Sequence, residues 1–270
     1  MEMNDKYIFP DPSKHPDWIT PHSPEWYSKL NSSVGAYRYP WNSTFEMPNA
    51  EMMFAEHLSS RITPDSRVLD VGCGHGDFTS IWGYKAKEVI GIDNRENFIK
   101  RAEINNNHES TKYLVVNADD ELPFPDHYFD IVYTKKGPWL YKEASRILKQ
   151  SGIILGLYHG GTDGGLRDLF PGLFSPLPYD PYNLDAVEER YKLYQSVGLS
   201  QVRIRLLEEV EYLSAPEDVL IKKCFGQSEE LKDFVWSQCL KGVKEIFYKH
   251  ATEKGIRVIN YHHLITAKVG

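Results

Sequence analysis

Short apolar runs alternate with amphipathic segments through the middle of the chain. The runs are SRVLDV at 66–71, EVIGID at 88–93, KYLVVNAD at 112–119, FDIVYT at 129–134 and GIILGLY at 152–158. Between them lie GDFTSIWGYKA, NRENFIKRAEINNN and YKEASRILKQ. Leu140, Ala144, Ile147 and Leu148 put one apolar stripe on the last of these, as in a helix. Gly152 follows Lys149 and Gln150 as a stop for that helix. Strands alternating with helices predict βαβ units and a mostly parallel sheet. The runs VLDV and GIIL lack polar alternation, as strands buried on both faces do.

The flanks read differently. Residues 1–22 are rich in Pro, Asp, His and Ser and predict an irregular arm, followed by a short helix over 24–31 with Pro24 in its first turn. The segment 37–48, YRYPWNSTFEMP, is aromatic and turn-rich. Asn49 is placed to cap a helix running to about Ser60, with Met52, Met53, Phe54, Ala55 and Leu58 as its apolar positions. Residues 159–183 are rich in Gly and Pro yet carry many Leu, Phe and Tyr, which predicts a lid or a pocket wall. A helix over 184–198 ended by Gly198, one or two strands over 201–213, helical structure over 215–255 and a last strand over 260–269 follow. Phe234, Val235, Leu240, Val243, Ile246 and Phe247 are core candidates in the helical stretch. The expected organisation is an arm and cap segment, 1–48, and a main domain, 49–270, with insertions at about 159–183 and 215–255.

Charge and cysteine usage narrow the partners. The 270 residues carry a formal net charge of -7, and Lys135–Lys136 is the nearest approach to a basic cluster. That argues against nucleic acid, whose phosphates are bound by clustered Lys and Arg. Cys73, Cys224 and Cys239 form no CxxC and suggest no disulfide scaffold, so a cytoplasmic setting is expected. No signal-peptide pattern opens the sequence, and no apolar run approaches the roughly 20 residues that span a bilayer. No HxH or CxxC suggests a metal, and His262 and His263 are adjacent, so in a strand they face opposite ways. Monomer and homodimer both remain open.

Candidate chemistry concentrates in VLDVGCGHG, 68–76. Placed between a strand and a helix, its glycines form a turn at the carboxyl end of the sheet, where such folds bind ligands. A dinucleotide fingerprint, G-x-G-x-x-G, would need glycine at 77; Asp77 stands there and the third glycine is Gly76. Asp70, just before the glycines, would repel a pyrophosphate and attract an ammonium. Asp93 ends the second run, where an acid can accept both hydroxyls of a ribose. Asp119 ends the third, where it could accept from an adenine amino group, with Ala118 packed beside the ring.

DVGCGHG, GID at 91–93, NADDELPFPDHYFDIVY at 117–133 and EASRILKQSGIILG at 143–156 together resemble the class I S-adenosylmethionine-dependent methyltransferases. The resemblance implies a Rossmann-like α/β fold. It would have a seven-stranded mostly parallel sheet, helices on both faces, and N-terminal and C-terminal helical additions forming a substrate cap. It also implies the cofactor contacts: Asp70, Gly72, Cys73, Gly74 and Gly76 around the methionine portion, Asp93 and Asn94 at the ribose, and Phe98, Ala118 and Asp119 at the adenine. Thr134, at the end of the fourth strand, would lie near the methyl group.

The acceptor is less defined. A sulfonium-borne methyl is already activated, so alignment of a nucleophile is the main requirement, and a base is needed only for a protonated nucleophile. His159 and Tyr37 are the candidates for that work, with Trp41 nearby in sequence to Tyr37. Enzymes of the family that methylate base amino groups have an Asn- or Asp-Pro-Pro-aromatic segment after the fourth strand, where this chain has TKKGPW. The leading expectation is methyl transfer to a small molecule. The alternatives are an RNA (guanine-type) or protein methyltransferase and a non-catalytic S-adenosylmethionine-binding protein. A nicotinamide-dependent oxidoreductase is disfavoured by Asp70 and Asp77.

Overall fold

The computed structural model describes residues 8–21, 23–34, 39–106, 108–138, 143–162, 165–174, 182 and 184–270. In chain order the elements are α1 (Pro24–Val34), β1 (Ser43–Phe45), α2 (Ala50–Ser59), β2 (Arg67–Val71), α3 (Asp77–Ser80), β3 (Glu88–Asp93), α4 (Glu96–Asn105) and β4 (Thr111–Val115). They continue with β5 (Phe129–Lys135), α5 (Ala144–Ile147), β6 (Leu148–Thr162), α6 (Leu166–Leu169), α7 (Leu184–Ser196), β7 (Leu199–Leu213), α8 (Pro216–Lys223), α9 (Glu229–His250) and β8 (Ile256–Val269). None of the described helices is long and apolar enough to cross a membrane.

Contacts divide the chain into two units, and each has its own core. The first, the sheet unit, comprises 50–160, 180–207 and 262–270. Its strands lie in the order β7-β8-β6-β5-β2-β3-β4, and the pairs β6–β5, β5–β2, β2–β3 and β3–β4 are parallel. Alternation along the strands decides what each face carries. Leu69, Val71, Ile90, Ile92, Val132 and Ile154 pack on one face with Ile147 and Tyr194. Val68, Val89, Ile131, Tyr133, Leu155, Leu157 and Leu264 pack on the other with Phe54 and Leu58 of α2 and with Phe78 and Trp82. By the same alternation Asp70, Asp93, Lys135, His159 and His262 belong to the second face. The fold is thus the expected Rossmann-like α/β arrangement.

The second, helical unit comprises 1–49, 161–179 and 208–261. Leu220, Leu231, Val235, Val243 and Phe247 of α8 and α9 are its core, together with Phe9, Leu166, Phe170 and Leu173. The apolar residues of the Gly- and Pro-rich stretch are therefore core members of this unit as far as residue 174. Between α8 and α9 the chain turns at Gly226, whose φ of +74° sets it against the Trp26 indole with no room for a side chain.

Three element readings are corrected. The helix expected over 141–150 is only α5, because Leu148 is fully buried and pairs with Phe129 as the first residue of β6. Gly152 does not stop a helix. It follows Ser151, held at φ +66°, in a bulge that moves the register from Phe129↔Leu148 to Ile131↔Ile153. An eighth strand was missed: β1, inside the turn-rich segment, pairs antiparallel with β7 through Ser43↔Leu213 and Phe45↔Glu211.

Candidate active site

The strand β2 delivers the chain to the glycine turn, and hydrogen bonds fix the turn's entry. The amides of Gly72 and Cys73 donate to the Ile92 carbonyl at 2.8 and 2.9 Å, which ties the turn to the end of β3. Gly72, Gly74 and Gly76 all have positive φ, at +79°, +55° and +79°. Their surroundings differ. A Cβ on Gly72 would lie 2.7 Å from Cδ of Pro138, and one on Gly76 would lie 2.7 Å from the Tyr113 ring. A Cβ on Gly74 would meet no atom within 4 Å. Two of the glycines thus make room for protein, and the middle one faces open space. Cys73 packs with Ile99, Ala102 and Tyr113 under α4, and burial drives its thiol pKa far up, so it is no nucleophile.

Asp93 braces the same turn. Its Oδ2 accepts from the Gly74 amide at 3.1 Å and its Oδ1 from the Arg95 amide at 3.0 Å. Burial raises its pKa, and these two backbone donors oppose the rise. Each carboxylate oxygen still has accepting capacity for a hydroxyl. Phe98 is half-buried and its ring lies tilted against that of His75, with 4.4 Å between centroids, while Asn94 beside Asp93 is exposed. Asp119 is exposed in the turn after β4, its amide donating to Asn117 Oδ1 at 3.3 Å, and Ala118 packs on the sheet core. Thr134 sits elsewhere than a surface contact would. It is fully buried, and its hydroxyl donates to the Val71 carbonyl at 2.8 Å, which locks β5 to β2 directly beneath the turn.

Asp70 is the most unusual group. Only 2% of it is exposed, and its Oδ2 accepts from the Thr79 hydroxyl at 2.7 Å and the Tyr133 hydroxyl at 2.8 Å. Its Oδ1 has no hydrogen-bond partner among the described residues. Burial pushes the carboxyl pKa up to about 6, against the two hydroxyl donors and Lys135, which lower it. Sequence reasoning offered Tyr133 only as a weaker candidate for the base and missed both it and Thr79 as partners of Asp70. The signal for Tyr133 was strand register, since it stands opposite Asp70 across the β2–β5 pair.

At the top of β6, His159 is exposed, and its ring meets that of buried His262 edge to face at 5.4 Å. His263 faces the other way, its Nδ1 3.0 Å from Arg190. Lys135 pairs with Glu51 at 3.0 Å and lies over the Phe78 ring. Tyr37 lies outside the described residues. Trp41 belongs to the helical unit, where its indole N–H donates to Glu211 Oε1 at 2.7 Å. Among the described residues no group of three or more His, Cys, Asp or Glu could hold a metal ion.

The donor set fits a cofactor with an ammonium at one end and a ribose further along. An unpartnered buried carboxylate oxygen at Asp70 suits the cation, the open side of Gly74 admits a ligand against the main chain, and Asp93 can accept hydroxyls. Residues 69–156, which hold all of these groups, match the family model described as methyltransferase domain.

Over that stretch the chain is similar to methyltransferase domains.

Among relatives, this chain is 30% identical over 182 residues to the sterol 24-C-methyltransferase of Gibberella zeae, covering 59% of this chain and 43% of that one. It is 32% identical over 140 residues to squalene methyltransferase 1 of Botryococcus braunii, covering 44% of this chain and 37% of the other. The chain therefore spans less than half the length of these relatives. Its fold is like that of a functionally unknown protein from Deinococcus radiodurans R1, with a TM-score of 0.61 and 22% identity over 91% of this chain and all of the other.

Proposed function

We propose that the protein transfers the methyl group of S-adenosylmethionine to a small-molecule acceptor. The observation that carries this is the juxtaposition at one turn of an open Gly74, an unpartnered Asp70 oxygen and a braced Asp93. The cofactor supplies an electrophilic methyl on a sulfonium. Gly72 to Gly76 and Asp70 would hold its amino-acid portion, Asp93 with Asn94 its ribose, and Phe98, Ala118 and Asp119 its adenine. Thr134 would keep the turn in place through Val71. The names of the sterol and squalene relatives favour a small lipophilic acceptor over a macromolecule. A -7 net charge gives no general attraction for nucleic acid. For an acceptor with an ionisable hydroxyl or amine, the exposed imidazole of His159 is the base that would take the proton. Free thiols at Cys73, Cys224 and Cys239 support a cytoplasmic setting.

The test is incubation with methyl-labelled S-adenosylmethionine and a panel of sterols, quinols, fatty acids and phenols. Label in an extracted acceptor supports the proposal. Label confined to added RNA or protein overturns it. Replacing His159 by Gln is expected to lower turnover at least tenfold with phenol and quinol acceptors and to leave fatty-acid carboxylates, which have no proton to lose, unaffected.

A further inference from the structure

Asp70 offers its two oxygens unequally. Oδ2 takes both available donors, the hydroxyls of Thr79 and Tyr133, and Oδ1 takes none among the described residues, although the carboxylate is almost completely buried. A buried carboxylate oxygen without a partner carries a desolvation cost. Two hydroxyls on one oxygen set the carboxylate's rotation, and both donors are themselves held rigidly. Tyr133 is fully buried on β5, packed edge-on to the rings of Phe54 and Phe78, and Thr79 is buried in α3.

We propose that Tyr133, with Thr79, is a positioning residue for the methyl donor: by occupying Oδ2 it leaves Oδ1 of Asp70 as the acceptor for the cofactor's α-ammonium group. This rests on the reading of the glycine turn as the S-adenosylmethionine site. Tyr133 touches no cofactor in this arrangement. It acts through Asp70, by orienting the carboxylate and by helping to keep it ionised against burial. The other charged and titratable groups that bear on Asp70 are Lys135, which favours its ionised form, and Asp93, which opposes it. Cys73 and Tyr113 are coupled to it but are kept neutral by burial.

Two ligands separate positioning from mere structure. S-adenosylhomocysteine carries the α-ammonium group, and 5′-methylthioadenosine has the same nucleoside without it. Calorimetric titration of the intact chain with each is the experiment. For Tyr133→Phe, affinity for S-adenosylhomocysteine is expected to fall about tenfold, a loss of the size one hydrogen bond to a charged group supplies. Affinity for 5′-methylthioadenosine should not change. The pH at which S-adenosylhomocysteine affinity drops on acidification should also rise above the wild-type value. Thr79→Val should act in the same direction and tests the idea independently should the tyrosine variant misfold. Equal losses for both ligands, or no pH displacement, would overturn the role of Tyr133. Equal affinity of the wild type for the two ligands would overturn the ammonium contact while leaving the cofactor site standing. Absence of binding by either would overturn the cofactor site and this inference together.

Discussion

Ionisation of Asp70 is set by opposed forces, and it gives the residue a cost as well as a use. Its pKa is raised from 3.8 to about 6, chiefly by burial. A carboxyl whose folded pKa lies above its unfolded one binds protons more tightly in the fold. The contribution of this group to stability is therefore greatest below pH 4, falls between about 4 and 6, and stays low above. Asp70→Asn removes that penalty with little change of shape. It should stabilise the free protein at pH 8 by up to about 3 kcal/mol and have no such effect at pH 4, while S-adenosylhomocysteine binding is lost. Thermal melts at the two pH values check the sign. The glycines divide in a similar way. Gly76→Ala must displace the Tyr113 ring, so it should lower the melting point clearly more than Gly74→Ala, which meets no atom. Gly74→Ala should instead act on cofactor affinity. The positions of Asp70, Asp93 and the glycines were legible because each is a residue type at a strand end. The partners of Asp70 were not, since Tyr133 and Thr79 come from elsewhere in sequence and only the β2–β5 register brings Tyr133 opposite.

At the scale of elements, apolar runs disclosed the parallel strands well, because strands buried on both faces have little else in their sequence. Their ends were read less accurately. The run KYLVVNAD predicts a strand to 119, yet β4 ends at Val115, and at that sheet edge Leu114 and Val115 stay partly exposed. In β6, Lys149 and Gln150 looked like the end of a helix. They are instead in the strand, where Lys149 holds Asp130 at 2.7 Å and the bulge at Ser151 absorbs the extra residues. Helical periodicity cannot reveal a bulge, which depends on the neighbouring strand. Ser151 pays for its left-handed φ of +66°, so Ser151→Gly should raise stability by about 1 kcal/mol in denaturant titrations. Gly152→Ala should lower it, because its Cβ would sit 2.7 Å from the Lys149 carbonyl oxygen.

For the whole molecule, the sequence expectation was a linear arm followed by a domain with insertions. Contacts instead gather three separated stretches, 1–49, 161–179 and 208–261, into a helical unit. Its polar centre is buried. Glu211, 1% exposed, receives Lys222, Asn260 and the Trp41 indole, each at 2.7 Å, and Lys222 also lies over the Trp41 ring. The lysine ammonium and the other donors hold the Glu211 carboxyl pKa below its usual value despite burial. Lys222→Met would leave that carboxylate without its cation and should cost about 3–5 kcal/mol in denaturant titrations. No motif announces this network, because its members lie in β7, α8, β8 and the segment before β1. The central claim about the molecule concerns the sheet unit alone and has a direct measurement. Isothermal titration of the wild type with S-adenosylhomocysteine, with NAD as the control, should show one site for the first and none for the second, and Asp93→Ala should abolish the site. Binding of NAD in preference, or undiminished S-adenosylhomocysteine affinity in Asp93→Ala, would contradict the assignment of the glycine turn and the end of β3 to the methyl donor.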